Sequence, residues 1–174
     1  MINLNWIKRN KFVPKNFVLD VDGVLTTGHY IYSKRGKEYK IFGQDDGNTL
    51  KHINKILNVY FVTCDYDGFD ISKKRINDWG FFLHKVPLVK RYEYLQNDLK
   101  LNLAETIYMG DSVFDVDNFK HFPYTICPNN SYYLLKFNAN FVTHHNGGDR
   151  AAAEACLHIE QNFLKDLKNE HRKV

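Results

Sequence analysis

Phe17-Val18-Leu19-Asp20-Val21-Asp22-Gly23-Val24-Leu25-Thr26 is the stretch that decides how the chain is read. The apolar run Phe17-Val18-Leu19 predicts a short buried parallel strand, and two aspartates fall where that strand stops. In open α/β sheets, ligands bind beyond the carboxyl ends of the strands. Side chains at i and i+2 share one face of an extended chain, so Asp20 and Asp22 can converge on a single point. Paired carboxylates repel unless a cation or a shared proton lies between them. Mg²⁺ suits such a pair, because it takes hard oxygen ligands and commonly rests on one or two carboxylates plus phosphate and water. The plainer alternative is an acidic turn in which Gly23 supplies a positive φ.

The chain beyond this point alternates strands and helices. Gly28 to Phe42 carries two β-rich runs around Lys34-Arg35-Gly36 and predicts a β-hairpin. A helix is expected from about Asn48 to Leu57, with Leu50, Ile53, Ile56 and Leu57 at helical spacing. A strand follows at Val59–Thr63, a helix at roughly Phe69–Trp79 and a strand at Phe81–His84. Pro87 is expected to open the next helix, which carries Lys90, Tyr94, Leu95 and Leu99. Strands at Thr106–Met109 and Tyr124–Cys127 flank a short helix ending near Lys120. A helix near Tyr132–Phe137, a strand at Asn140–Thr143 and a terminal helix from Arg150 to about Leu167 complete the pattern. Such alternation predicts a mostly parallel sheet flanked by helices, a Rossmann-like α/β domain. One domain over 1–174 is expected, with a lead-in at 1–15, the hairpin at 28–42 and a basic tail at 168–174.

Composition narrows the class. The chain has 174 residues, enough for one domain with a substantial core, and its 44% hydrophobic and 25% charged content is that of a soluble globular protein. A net charge of +4 without a basic stripe interleaved with aromatics gives no nucleic-acid groove. Cys64, Cys127 and Cys156 are widely spaced and odd in number, which supports neither a zinc site nor a disulfide framework. They fit a reduced, cytoplasmic setting. No apolar run is long enough for a signal peptide or a membrane span.

Four chemical signals stand at successive predicted strand ends. They are Asp20-Val21-Asp22-Gly23, then Thr63, then Lys90 in the following helix, then Gly110-Asp111-Ser112-Val113-Phe114-Asp115. Each alone has a bland reading: a turn, a β-branched residue, a solvated lysine, an acidic helix start. Together and in this order they resemble the motifs of the haloacid-dehalogenase (HAD) superfamily of aspartyl-phosphate phosphatases. The resemblance implies that Asp20 is the nucleophile, forming an aspartyl-phosphate, and that Asp22 is the general acid and base. It implies that Thr63 and Lys90 bind the phosphoryl oxygens. Mg²⁺ would be held by Asp20, the main-chain carbonyl of Asp22 and Asp111, with Asp115 either supporting these ligands from behind or orienting Lys90.

Within the superfamily the chain resembles the small branch without a cap domain, typified by 3-deoxy-D-manno-octulosonate 8-phosphate (KDO 8-phosphate) phosphatase. Phe42 with Asp46-Gly47, and Gly147-Gly148 with Glu154, match stretches of that branch. The implied activity is Mg²⁺-dependent hydrolysis of a phosphorylated sugar or sugar acid. Members of the branch are homotetramers whose hairpins help to associate the subunits, so the same assembly is expected. Three positions depart from the pattern: Asp45, Asp65 and Ala153 stand where the branch has arginines. That loss of cations points to a substrate less anionic than the octulosonate phosphate. The alternative from another class is a non-catalytic assembly or sugar-binding module on the same fold, although such a module has no need of both Asp20 and Asp22.

Overall fold

A computed structural model describes residues 12–164. The predicted lead-in up to residue 11, the tail 168–174 and any helix beyond residue 164 lie outside the described residues. Strand β1 (Asn16–Asp20) is buried along its whole length, as its unbroken apolar run requires. It pairs in parallel with β4 (Asn58–Thr63) on one side and β6 (Thr106–Met109) on the other. β5 (Leu83–Lys85), β7 (Tyr124–Cys127) and β8 (Phe141–Val142) extend a six-stranded parallel sheet in the order β5-β4-β1-β6-β7-β8. From β1 the chain builds outward to β4 and β5 on one side, then crosses back to β6, β7 and β8 on the other, so that the carboxyl ends of β1, β4 and β6 flank one crevice.

Alternation along β1 feeds two cores. Phe17 and Leu19 join Leu50, Ile53, Phe61, Ile76, Met109, Ala155 and Ile159 on one face of the sheet. Those residues bring α1 (Asp46–Ile53), α2 (Phe69–Asp78) and α6 (Ala151–Phe163) onto that face. Val18 points the other way, to Val62, Leu95, Tyr108, Phe119 and Leu135. There it meets α3 (Arg91–Asn97), α4 (Asp115–Phe119) and α5 (Tyr133–Asn138). Each fully buried Leu, Val or Phe contributes about 1.5–3 kcal/mol, so both cores fix the level at which the strand ends stop.

The hairpin is β2 (Thr26–Ser33) and β3 (Gly36–Phe42), antiparallel, closed where Ser33 pairs with Gly36 at φ +112°. It forms its own two-stranded sheet between β1 and α1. Several boundaries differ from the sequence expectation, among them the helix expected from about Asn48 to Leu57, which is Asp46–Ile53. The strand expected at Phe81–His84 is Leu83–Lys85, because β4 meets it from Phe61 onward, while Phe81 packs edge-on against the Phe61 ring, centroids 5.0 Å apart. The helix expected to open at Pro87 begins only at Arg91: Lys90 has φ +56°, and a left-handed residue cannot join a right-handed helix. No helix among the described residues is long and apolar enough to cross a membrane.

Candidate active site

The loop that leaves β1 wraps tightly around its own carbonyl. The N–H groups of Val24, Leu25 and Thr26 all point to the Val21 carbonyl oxygen, at 3.3, 2.9 and 3.1 Å. Gly23 takes φ +85°, and a Cβ there would lie 1.9 Å from Asp111 Oδ2. Glycine is what lets the Asp111 carboxylate come up against this loop. Gly147 closes the other side, where an added Cβ would lie 1.7 Å from the Gly23 carbonyl oxygen. The Gly148 N–H donates to the Val24 carbonyl at 3.0 Å. Glu154 braces the glycine loop by accepting from the His144 and His145 N–H groups at 3.0 Å. Burial raises its carboxyl, but these donors outweigh burial and hold it below its ordinary value.

Around this loop the acidic residues converge. Asp20, at the end of β1, accepts from the Val21 N–H at 2.8 Å and faces Arg91 Nη1 at 3.2 Å. Arg91 is fully buried and also donates to the Tyr108 hydroxyl at 2.8 Å, with Asp115 Oδ1 3.7 Å away. Asp115 is itself saturated: Tyr108 donates to Oδ1 at 2.7 Å, while the Asp111 N–H, the Ser112 N–H and the Ser112 hydroxyl reach Oδ2. Burial pushes Asp20 up to about 6 against the pull of Arg91, with Asp115 and Asp22 adding to the rise. Burial, with Asp20 and Asp115 next in weight, pushes Asp111 up to about 8.

Asp20, Asp111 and Asp115 each offer a carboxylate oxygen within 4.8 Å of the others. Asp111 Oδ1 is buried and has no hydrogen-bond partner among the described residues. An all-oxygen set with one oxygen unsatisfied and its carboxyl driven toward protonation fits a hard divalent cation. Asp111 and Asp20 would supply the oxygens for such an ion, since each Asp20 oxygen meets one donor, whereas Asp115 Oδ2 already takes three and its Oδ1 takes the Tyr108 hydroxyl with Arg91 close by. The Asp22 side chain turns away from this cluster.

Asp22 faces the hairpin instead. Its Oδ2 accepts from the Thr63 hydroxyl at 3.1 Å, and its Oδ1 lies 2.6 Å from Lys40 Nζ. Lys40 comes from β3 and its side chain is only 1% exposed. Asp65, just past β4, receives Lys40 at 2.7 Å and Lys37 at 2.6 Å. Burial raises the Asp65 carboxyl, but the two lysines outweigh it and bring it down to about 2. Asp45 likewise meets a cation, Arg150 Nε at 2.7 Å.

The structure thus gathers Asp20, Asp22, Thr63, Asp111 and Asp115 around one crevice, and does not bring Lys90 there. Lys90 is 65% exposed and pairs with Glu93 at 3.2 Å on the surface. The next residue, Arg91, enters the site in its place. Arg91 and Lys40 escape the sequence reading. The one signal for Arg91 is a second cation beside Lys90 at a helix start, and Lys40 has none beyond lying on a hairpin strand.

Three comparisons bear on this geometry. The family model described as haloacid dehalogenase-like hydrolase matches residues 31–153. The chain is 26% identical over 172 residues to 3-deoxy-D-manno-octulosonate 8-phosphate phosphatase of Haemophilus influenzae, covering 89% of this chain and 94% of that protein. The cobalt-bound structure of the Haemophilus influenzae phosphatase superposes with TM-score 0.75 at 27% identity, covering 87% of this chain and 90% of that one. A Moraxella catarrhalis phosphatase of the same name, in complex with magnesium, phosphate and KDO, has TM-score 0.78 at 23% identity, covering 93% of both chains. At that identity it shares the fold.

Proposed function

The chain belongs to the haloacid dehalogenase-like hydrolases and is a phosphatase, and we propose that it hydrolyses a phosphorylated sugar or sugar acid through an aspartyl-phosphate on Asp20, with Mg²⁺ as cofactor. One observation carries the reading. Asp20 is held against the buried cation Arg91 and faces Asp111, whose partnerless oxygen suits a divalent ion. Asp20 and Asp111 would hold Mg²⁺, which when bound neutralises phosphoryl charge and orients the ester.

The protein's own groups do the remainder. An Asp20 carboxylate oxygen attacks phosphorus, and the P–O bond to the alcohol breaks. Asp22 gives its proton to the departing alkoxide, then takes one from the water that attacks the aspartyl-phosphate, releasing orthophosphate and restoring Asp20. Arg91 balances charge beside Asp20, while Lys90, to which the motif resemblance gives phosphoryl binding, pairs with Glu93 at the surface. Thr63 orients Asp22 through its hydroxyl and can turn to a phosphoryl oxygen. Such positioning and charge neutralisation supply most of the rate in phosphoryl transfer.

The substrate class follows from the octulosonate-phosphate phosphatases that the chain resembles. Asp65 and Asp45 meet their cations within the chain, which leaves a sugar carboxylate less to bind. Phosphate release from neutral and acidic sugar phosphates, with and without Mg²⁺, tests the reading. Mg²⁺-dependent turnover supports it, and no turnover of any sugar phosphate or aryl phosphate moves the chain to the binding-module alternative.

The assembly proposed with this activity is a homotetramer built on the hairpins, in a cytoplasmic setting that suits the three free thiols. Tyr30, Ile31, Tyr32, Tyr39 and Ile41 are each more than half exposed on that ribbon. A lone two-stranded ribbon is marginally stable in water, and packing such ribbons together buries these rings. Light scattering should give four copies for the wild type and fewer for Ile31→Lys; a wild-type monomer would sink the tetramer.

A further inference from the structure

Lys40 has more to do than close a surface ion pair. A lysine ammonium has three N–H donors, and this one has three acceptors: Asp22 Oδ1 at 2.6 Å, Asp65 Oδ2 at 2.7 Å and Ser72 Oγ at 2.8 Å. With its side chain 1% exposed, it has no water to turn to and no spare donor. The contacts close into a circuit. The Thr63 hydroxyl donates to Asp22 Oδ2 at 3.1 Å and accepts from the Asp65 N–H at 3.0 Å. Asp65 Oδ1 accepts from the Gly68 N–H at 3.1 Å, and its Oδ2 also takes Lys37. In this state both oxygens of Asp22 accept, Oδ1 from Lys40 of the hairpin and Oδ2 from Thr63; when the Thr63 hydroxyl turns to a phosphoryl oxygen, Oδ2 is left to carry the proton while Lys40 keeps hold of Oδ1.

From this geometry we propose that Lys40 is the positioning residue of Asp22, so that the β-hairpin sets the aim of proton transfer to the departing alcohol. The proposal rests on the phosphatase reading above, in which Asp22 is the general acid. The Asp22 side chain is 34% exposed. An exposed carboxylate held on one oxygen alone can rotate about its side-chain bonds, and a misaimed acid loses most of its effect. Burying a lysine beside one carboxylate is costly unless its charge and hydrogen bonds are fully matched. Asp65 supplies that match. Its negative charge is what allows Lys40 to stay buried against Asp22. Through Lys37 and Lys40 on Asp65 the hairpin is pinned to the loop after β4 at the point where the acid works.

The test compares two esters, an alkyl phosphate, whose alkoxide needs a proton to leave, and p-nitrophenyl phosphate, whose leaving group does not. The parameter kcat/KM covers only the steps up to departure of the alcohol, so it isolates the acid role. Lys40→Met should lower kcat/KM for the alkyl ester by about 10²-fold, the lower range of general-acid catalysis. The aryl ester should lose less than about tenfold. The ratio of the two rates does not depend on the folded fraction, and Lys40→Gln, which can still reach Ser72, serves if the methionine variant does not fold. Equal losses for both esters, or no loss for the alkyl ester, would overturn the positioning role. Wild-type protein that turns over neither ester would overturn the phosphatase reading itself.

Discussion

Arg91 Nη1 stands 3.2 Å from Asp20 Oδ2, whereas the neighbouring Lys90 points outward and meets Glu93 at the surface. The two cations are one residue apart, and the left-handed backbone at Lys90 sends them to opposite fates. A motif read by spacing alone chooses the lysine. The geometry gives Arg91 the charge-balancing work.

Arg91→Met should therefore lower kcat/KM by roughly 10²–10³, comparable to removing one donor from a charge-stabilising site. It should also cost stability, because it leaves Asp20 and Asp115 without their buried cation; breaking such a pair typically costs about 3–5 kcal/mol. Lys90→Ala should change kcat/KM by less than about twofold, as its pair with Glu93 is a surface pair of small worth. Steady-state kinetics and urea melts on both variants check this. The opposite ranking would return the role to Lys90.

Asp111 makes a separate prediction about the metal. Its partnerless oxygen, beside Asp20 and Asp115, makes the ion-free site repulsive. Mg²⁺ at about 100 times its Kd should stabilise the fold by about 2.7 kcal/mol, a rise in Tm of roughly 5–10 °C for a chain of this size. Asp111→Asn should melt no lower than wild type without metal and should lose the Mg²⁺ response. A variant that keeps the full response places the ion elsewhere.

The sequence shows the aspartates well and the hairpin lysine poorly, for physical reasons. Asp20, Thr63 and Asp111 are legible because buried parallel strands are unbroken apolar runs, and each run ends visibly at a polar residue. The order of those ends then places the crevice. Lys40 lies on a ribbon with register shifts between Thr26 and Tyr30 and between Ile31 and Tyr32. Simple alternation along that ribbon does not say which side chain turns inward. Arg91 is hidden by a backbone event, the positive φ at Lys90, that no side-chain pattern announces.

His158 should contribute to the acid side of the stability curve. It is buried on α6, with Nε2 2.8 Å from the Tyr124 hydroxyl and its ring stacked on Phe141, centroids 3.9 Å apart. Burial lowers it from 6.5 to about 4. The folded protein thus keeps the ring neutral where the unfolded chain takes up a proton. The stabilisation is complete above pH 6.5 and is lost as pH falls through about 4, with a slope of up to about 1.4 kcal/mol per pH unit between. Denaturant melts from pH 7 to 4.5 should show a shallower fall for His158→Gln than for wild type. Identical slopes would mean that other groups carry the acid sensitivity.

The central claim is that Asp20 carries the phosphoryl group. Rapid quenching of the enzyme in acid during turnover, followed by mass spectrometry of its peptides, tests it directly. The expected result is a transient gain of one phosphoryl mass on the peptide containing Asp20, present with Mg²⁺ and substrate and absent in Asp20→Asn. Turnover without any phosphorylated Asp20 peptide, or undiminished turnover by Asp20→Asn, would contradict it.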